Sequence, residues 1–355
     1  VLSATLPNRR RSDLAKAFID GLGTEVNNIQ ISEKYPRIAW VSRNQADSVH
    51  VGTSTRSKKH LNLRWVDGRL PESDEPFLLG QRLETALAEG GTAAVVCNTV
   101  RRVQEVYLAL KPYFSGNSDD GYSQLDLLHS QYLFEDREVR EQRSLVRFGK
   151  RGGNVKIGDS DVTVRRPNRA VLVATQVIEQ SLDLDFDLMV TDMAPADLLL
   201  QRAGRLHRHD RSERPTRLKH PQLWICRPDS SDDVPVFDGG TAAIYDSHVL
   251  LRSWLALEGR DTVLVPKDVE RIIEDVYDDI SEPETMSEEL REEWETTRGR
   301  QRLTIQSDAR EAQERRLKHP SYKGQLWRMI QDPRDEDAPD FHQAHQALTR
   351  LTGLT

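Results

Sequence analysis

The segment Gln201-Arg202-Ala203-Gly204-Arg205-Leu206-His207-Arg208 sets a glutamine and three of its arginines around one glycine, directly after Leu198-Leu199-Leu200. Guanidinium groups are planar, permanently charged forks that bind phosphate oxygens two at a time. If one helix runs through the segment, Gln201, Arg205 and Arg208 fall at i, i+4 and i+7, on a single face. Such a face suits a polyanion, a nucleoside triphosphate above all. A solvated basic helix end, favoured by the helix dipole, uses the same residues. The elements that must position them decide between the two.

Those elements read as buried strands with polar tips. Ala170 to Ala174 is short, apolar and partly β-branched, and it stops at Thr175, as a strand of a parallel sheet should. Leu188-Met189-Val190 follows and ends at Asp192, and Pro195 then fits the first turn of the arginine-bearing helix. Thr92 to Cys97 is another such strand, with Asn98 and Thr99 at its tip and an amphipathic helix behind it. Val1 to Pro7 reads as a further strand ending in the hydroxyls of Ser3 and Thr5. Polar groups just past strand ends lie where open α/β sheets bind ligands.

The rest of the chain supports the same architecture. Helices are expected over Ser12 to Leu22 and over Leu78 to Glu89, the latter stopped by Gly90. Ile38 to Val41, Ser48 to Gly52 and Leu61 to Val66 read as strands. Strands at 92–97, 124–128, 170–174, 188–191 and 222–226 alternate with helices at 100–111, 132–148 and 195–203. That alternation predicts an α/β fold, a parallel sheet with helices on both faces. Residues 149–161 read as an exposed, partly basic loop, and the Pro- and Asp-rich stretch 229–240 as a linker. Beyond it the chain turns helical at 241–258 and 267–278. From 285 to about 318 it is dense in opposite charges three or four apart, a solvated helix held by such pairs.

Taken in order, Ser3-Ala4-Thr5, Val95 to Val100, Val173 to Asp187 and Gln201 to Arg208 resemble motifs III, IV, V and VI of superfamily 2 helicases. Cys97-Asn-Thr-Val, Leu127-Leu-His129-Ser130, Ala174-Thr-Gln-Val-Ile-Glu-Gln-Ser-Leu-Asp183 and Gln201-Arg-Ala-Gly-Arg-Leu-His-Arg-His209 resemble more narrowly the CRISPR-associated helicase–nuclease of type I systems. Leu250 to Leu255, Pro266 to Asp278 and Ala347 to Leu351 resemble that family's region behind the motor.

The resemblance implies a RecA-like second helicase domain of the P-loop NTPase type. Its activity would be ATP-dependent 3′ to 5′ translocation on single-stranded DNA in CRISPR interference. Arg205 and Arg208 match the arginines that reach across a closing cleft to ATP, with Gln201 orienting them. Asp183, Gly204, Arg202, Ser3 and Thr5 fall on the nucleotide side, although Arg202 also suits the acids of motif V. Asn98, Thr99, Thr175 and Gln176 would grip DNA phosphates through hydroxyl, amide and main-chain donors. His129 reads as a packed histidine rather than a DNA ligand. The implied partners are a CRISPR surveillance (Cascade) complex with its guide RNA, and the RecA-like and HD nuclease domains that precede this region in the family. Two other readings use the same residues: another superfamily 2 helicase, or a catalytically silent RecA-like binding module.

No Gly-x-x-x-x-Gly-Lys-[Ser/Thr] loop and no Asp-Glu-x-His or Asp-Glu-Ala-Asp box occurs in the sequence. ATP and Mg2+ are therefore expected to be held mainly by a preceding domain, and this polypeptide alone is expected to be inactive. His207, His209 and His220 lack the spacing of a metal site, so none is assigned. The implied layout is 1–30 for the end of the first RecA-like domain, 31–228 for the second, 229–240 for a linker, 241–320 for a helical region and 321–355 for part of a C-terminal domain. With 355 residues, 30% charged, a net charge of −7 and two cysteines (Cys97, Cys226), composition points to a cytoplasmic protein without a membrane span. The acid excess argues against a passive DNA coat.

Overall fold

The apolar runs of the sequence become strands of one seven-stranded sheet. The structure, a computed structural model, describes residues 6–22, 35–42, 46–52, 58–72, 75–150, 154–157, 159–163, 165–179, 182–278 and 286–314. The expected motif III residues Ser3 and Thr5, and the stretch 321–355, lie outside the described residues. The chain divides into two units, residues 1–286 and 287–355.

The first unit opens with α1 (Asn8–Leu22), β1 (Arg37–Val41), β2 (Ala46–His50), β3 (Lys59–Val66), α2 (Leu78–Ala86), β4 (Gly91–Val96) and α3 (Val100–Leu110). It continues through β5 (Leu125–Leu128), α4 (Phe134–Phe148), β6 (Asn154–Ile157), β7 (Ser160–Thr163), β8 (Arg169–Ala174), β9 (Leu188–Thr191) and α5 (Ala196–Ala203). Then come β10 (Gln222–Cys226), β11 (Asp229–Ser231), β12 (Val234–Val236), α6 (Gly239–Ile244), α7 (Ser247–Leu257), β13 (Thr262–Val265) and α8 (Val269–Tyr277).

The strand order is β13-β3-β10-β9-β4-β8-β5, parallel throughout except for β13, which runs antiparallel to β3. Central strands buried on both faces read as unbroken apolar runs, and β4 is buried at all its positions. Successive side chains alternate between faces. Ala94, Val96, Leu172 and Met189 thus pack with Leu199 and Ala203 of α5 and Ile272 of α8. Ala93, Val95, Val171 and Val190 pack on the other face with Leu83 of α2 and Val103 of α3. Each such Val or Leu contributes about 1.5–3 kcal/mol on burial, so the strand tips sit on a rigid base.

Two local devices hold β4 at its ends. Gly90 and Gly91, at φ +96° and +106°, turn the chain from α2 into β4, and Gly91 N–H donates to the Asn168 carbonyl at 2.7 Å. Thr99 caps α3, its hydroxyl accepting from Arg102 N–H, which fixes the β4 tip.

Three stretches depart from the sequence expectation. Residues 229–240, expected as a linker, carry the β11–β12 hairpin and the Asp238 cap of α6. Residues 149–161, expected as a loop, contain β6 and the start of β7, which pair as a second hairpin. Residues 241–277 are not a region apart: Leu257, Val263, Ile272 and Val276 share a core with the central strands, and β13 joins the sheet. The second unit, where described, is the 27-residue helix α9 (Glu288–Glu314). It carries the expected spaced pairs, Arg291 with Glu288 and Arg298 with Glu295.

Candidate functional site

Helix α5 enters after Pro195 and buries Leu199, Arg202 and Ala203. It does not continue through the arginine segment. Gly204 closes it, its N–H donating to the carbonyls of Leu200 and Gln201. Leu206, fully buried, then forms a parallel bridge with Phe186, and His207 N–H donates to the Phe186 carbonyl at 3.0 Å. His207 itself is left-handed, at φ +46°. The expected single helical face for Gln201, Arg205 and Arg208 is therefore replaced by a helix end, a bridge and a sharp turn. Burial of Leu206 beside Phe186 outweighs continued winding.

The three arginines end in different surroundings. Arg202 is fully buried: Nε donates to Glu179 Oε1 at 2.7 Å, Nη1 to Thr191 Oγ1 at 2.6 Å, and Nη2 to Asn98 Oδ1 and the Tyr245 hydroxyl at 3.3 and 3.2 Å. Arg205 is half-buried, with Nη2 donating to the Glu179 carbonyl at 2.5 Å while its buried Nε has no partner among the described residues. Burial and the charge of nearby Arg208 hold its pKa below the usual arginine value. Arg208 is exposed and pairs with exposed Asp183 at 2.5 Å. Asp183, exposed Gly204 and Arg208 line one cleft of about 520 Å³ with Lys59 and His209. Gln201 is half-buried on the same helix.

The other expected site residues meet at the strand tips. Asn98 is buried, its amide donating to the Met193 carbonyl at 2.7 Å and to Thr241 Oγ1 at 2.9 Å. Gln176 Nε2 donates to the Asn98 carbonyl and to the Tyr245 hydroxyl. Thr175, also buried, donates its N–H to the Leu128 carbonyl. Thr99 borders a cavity of about 450 Å³ with Arg69, Arg101, Arg102 and Arg227. Asn98, Gln176 and Arg202 thus form one internal network, closed from outside by Thr241 and Tyr245 of the α6 segment. Nothing in the sequence marked Thr241 or Tyr245 as its members.

A second ion network was also missed. Asp185 and Asp187 are buried. Burial alone would raise both carboxyls, but Arg166 and Arg214 hold them below the usual range, with Arg211 adding to the effect at Asp185. Arg166 Nη2 lies 2.9 Å from Asp187, Arg214 Nη2 lies 3.1 Å from Asp185, and Arg208 N–H donates to Asp185 at 2.8 Å. This lattice anchors the chain just beyond the arginine segment. The available signal was two aspartates alternating with Leu184, Phe186 and Leu188, all of which are buried.

The histidines have other environments. His207 is pushed down to about 4 by burial and Arg214. His209 Nε2 lies 3.2 Å from Asp183, yet burial lowers its pKa. His129 is buried and stacks on Tyr132 at 4.0 Å, with Arg140 over the same ring. Among the described residues no group of three His, Cys, Asp or Glu side chains is placed to hold a metal. Cys97 and Cys226 are free and buried, and burial raises both thiols, Cys226 to about 12. No helix among the described residues is long and apolar enough to cross a membrane.

A mostly parallel sheet, with the arginine segment returning beneath it and polar strand tips above, defines a RecA-like helicase domain. The chain belongs to the CRISPR-associated nuclease/helicase Cas3 family, whose C-terminal family model matches residues 89–211. It is 36% identical to the CRISPR-associated endonuclease/helicase Cas3 of Thermus thermophilus, over 82% of this chain and 32% of that protein. A crystal structure of a CRISPR-associated protein matches all of the chain and 36% of its own length, with 47% identity and a TM-score of 0.86. T. fusca Cas3 with AMPPNP matches 84% of the chain and 34% of its own length, with 33% identity and a TM-score of 0.66. A pre-nicking CRISPR RNA-guided surveillance complex contains a chain matching 85% of this one and 36% of itself, at 33% identity and a TM-score of 0.64. The chain spans about a third of the length of the curated relatives it matches.

Proposed function

We propose that this chain is the second motor domain of an ATP-dependent 3′ to 5′ single-stranded DNA translocase acting in CRISPR interference. The observation that carries this reading is the state of its two outer arginines. Among the described residues the Arg208 guanidinium is paired with one exposed carboxylate, an interaction worth about 0–1 kcal/mol in water. Arg205 keeps beside it a buried Nε with no partner among the described residues. Two neighbouring cations so weakly compensated suit an anion from outside, and a triphosphate fits. ATP would bring the hydrolysable phosphoanhydride, held with Mg2+ mainly by a preceding RecA-like domain of the same protein. Arg205 and Arg208 would bind its outer oxygens on domain closure, with Gln201 and Gly204 shaping their approach and Asp183 releasing Arg208. Arg202 would hold motifs V and VI together from inside rather than touch the nucleotide.

On the other side, Thr99 and the turn after Thr175 would face the DNA phosphates, with the Gln176 amide, like Asn98, engaged internally and bracing the tip from inside. Asn98, engaged internally, would set the tip that presents them. The surveillance-complex relative supports docking on a guide-RNA complex, and the nucleotide-bound T. fusca Cas3 supports ATP use. A cytoplasmic setting suits the two reduced thiols. An HD nuclease domain would act on the strand that the motor delivers.

The test is DNA-stimulated ATP hydrolysis by the complete protein. Arg205→Ala and Arg208→Ala should each lower turnover by roughly 10³-fold, with single-stranded DNA affinity unchanged. A matching loss of DNA affinity would put these arginines on the wrong side of the cleft. Hydrolysis by the isolated 355-residue chain would remove the need for a preceding domain.

A further inference from the structure

Strands inside an α/β sheet are normally covered on both faces; among the described residues β3 is covered on one of its faces only towards its end, at Val66. Its neighbours are β13 and β10, so it is internal to the sheet. Leu61 and Leu63 enter the core. The alternate positions His60 and Arg64 are exposed, with half-buried Asn62 between them and exposed Lys58 just before the strand. Side chains two apart share a face, so these residues form one polar, cationic track. Register widens it, since Asn62 lies opposite Gln222 and Arg64 opposite Trp224. Two open cavities of about 420 and 630 Å³ lie along it, the first bordered by Arg82 and Arg217, the second by His220.

The lining shows what the track would hold. Among the described residues no carboxylate borders the first cavity, and the second has Asp210 alone, which is already engaged. Arg217 meets Glu89 at 3.2 Å, but both are exposed and the pair is screened. No large apolar side chain is exposed on the track. Protein–protein interface cores are rich in aromatics and poor in lysine, whereas DNA-binding faces are polar and positively charged. In a chain of net charge −7 this face is a local reversal of sign.

Single strands are gripped by stacking bases on free rings. Here the one large ring, Trp224, is only 3% exposed and lies under Arg64, which leaves only the small imidazoles of His60 and His220. A paired backbone fits better. Lys58 to Arg64 spans roughly 20 Å, about six base-pair rises along the axis of a duplex.

We propose that the uncovered face of β3 binds the phosphate backbone of duplex DNA, at a site separate from the strand tips. The site extends the DNA-translocase reading, but its test requires no hydrolysis, so the two stand or fall separately. Equilibrium binding of the whole chain to a short blunt duplex, and to a single strand of equal length, is measured across a salt series. In Lys58→Gln/Arg64→Gln/Arg82→Gln the slope of log affinity against log salt should become shallower by about 2–3 for duplex, with duplex affinity falling roughly tenfold or more. Single-strand binding should not change.

An unchanged duplex slope would assign the track to an acidic protein surface and overturn the proposal, as would equal losses on both substrates. Thermal melting checks that the variant folds. If it does not, Arg64→Gln alone should flatten the duplex slope by about 1, and no change in that variant also overturns the proposal.

Discussion

Arg202 donates from Nε to Glu179 Oε1 at 2.7 Å with both side chains almost wholly buried. The carbonyl of the same Glu179 accepts from Arg205. One residue of the loop after β8 thus holds the inner arginine by its side chain and an outer arginine by its backbone. The outermost guanidinium, that of Arg208, pairs with solvent-facing Asp183.

These placements separate stability from function. Arg202→Ala would strand a buried carboxylate and should cost about 3–5 kcal/mol. Arg208→Ala removes a screened surface pair and should cost no more than about 1 kcal/mol. Urea unfolding of the two variants, compared at equal pH and salt, checks the contrast. Similar midpoints would mean that Arg202 is not an internal tie.

His207 makes stability depend on pH in a known direction. Its ring titrates near 4 when folded against an ordinary 6.5, because burial and Arg214 disfavour its charged form. Above 6.5 the ring is neutral in both states and carries no penalty. As pH falls from 6.5 towards 4 the unfolded chain takes up a proton that the folded one refuses. Stability therefore drops across that window, by up to about 3 kcal/mol. His207→Asn, a residue that tolerates left-handed backbone, should flatten that part of the stability–pH curve. An unaltered curve would assign the loss to other groups.

Gly91 has a requirement that Gly121 lacks. Both adopt positive φ, but a Cβ on Gly91 would also lie 2.7 Å from Leu218 Cδ1, while one on Gly121 meets nothing within 4 Å. Gly121→Ala should cost only the backbone strain, about 1–3 kcal/mol, and Gly91→Ala visibly more. Thermal melting of the two variants ranks them, and the reverse order would contradict the packing at the start of β4.

The central strands were legible because complete burial leaves a simple mark: short β-branched runs ending in polar tips, as at Val96 and Ala174. Thr99 and Gly90 showed the ends of their elements by residue type alone. The fate of the arginine segment did not show. It depends on Leu206 meeting Phe186, a contact between separate segments that local periodicity does not report. The same holds for Asp185 and Asp187, whose arginine partners lie 19 to 29 residues away along the chain. Thr262-Val-Leu-Val265 falls in the unassigned gap between the helices expected at 241–258 and 267–278, although its composition is that of a strand. A run of four residues between Asp261 and Pro266 gave too little length to assert itself, and its pairing partner, β3, comes two hundred residues earlier.

That late strand sets where the domain can be divided. β13 covers the outer backbone of β3 with ladder bonds supplied from beyond every helicase motif. A polypeptide trimmed just after Cys226, a natural choice if the motifs alone set the boundary, would leave a row of amides and carbonyls open along β3. Such an edge recruits the matching strand of another molecule. Truncation there would therefore yield aggregates, because the last residues of the sheet also serve as its protective hem.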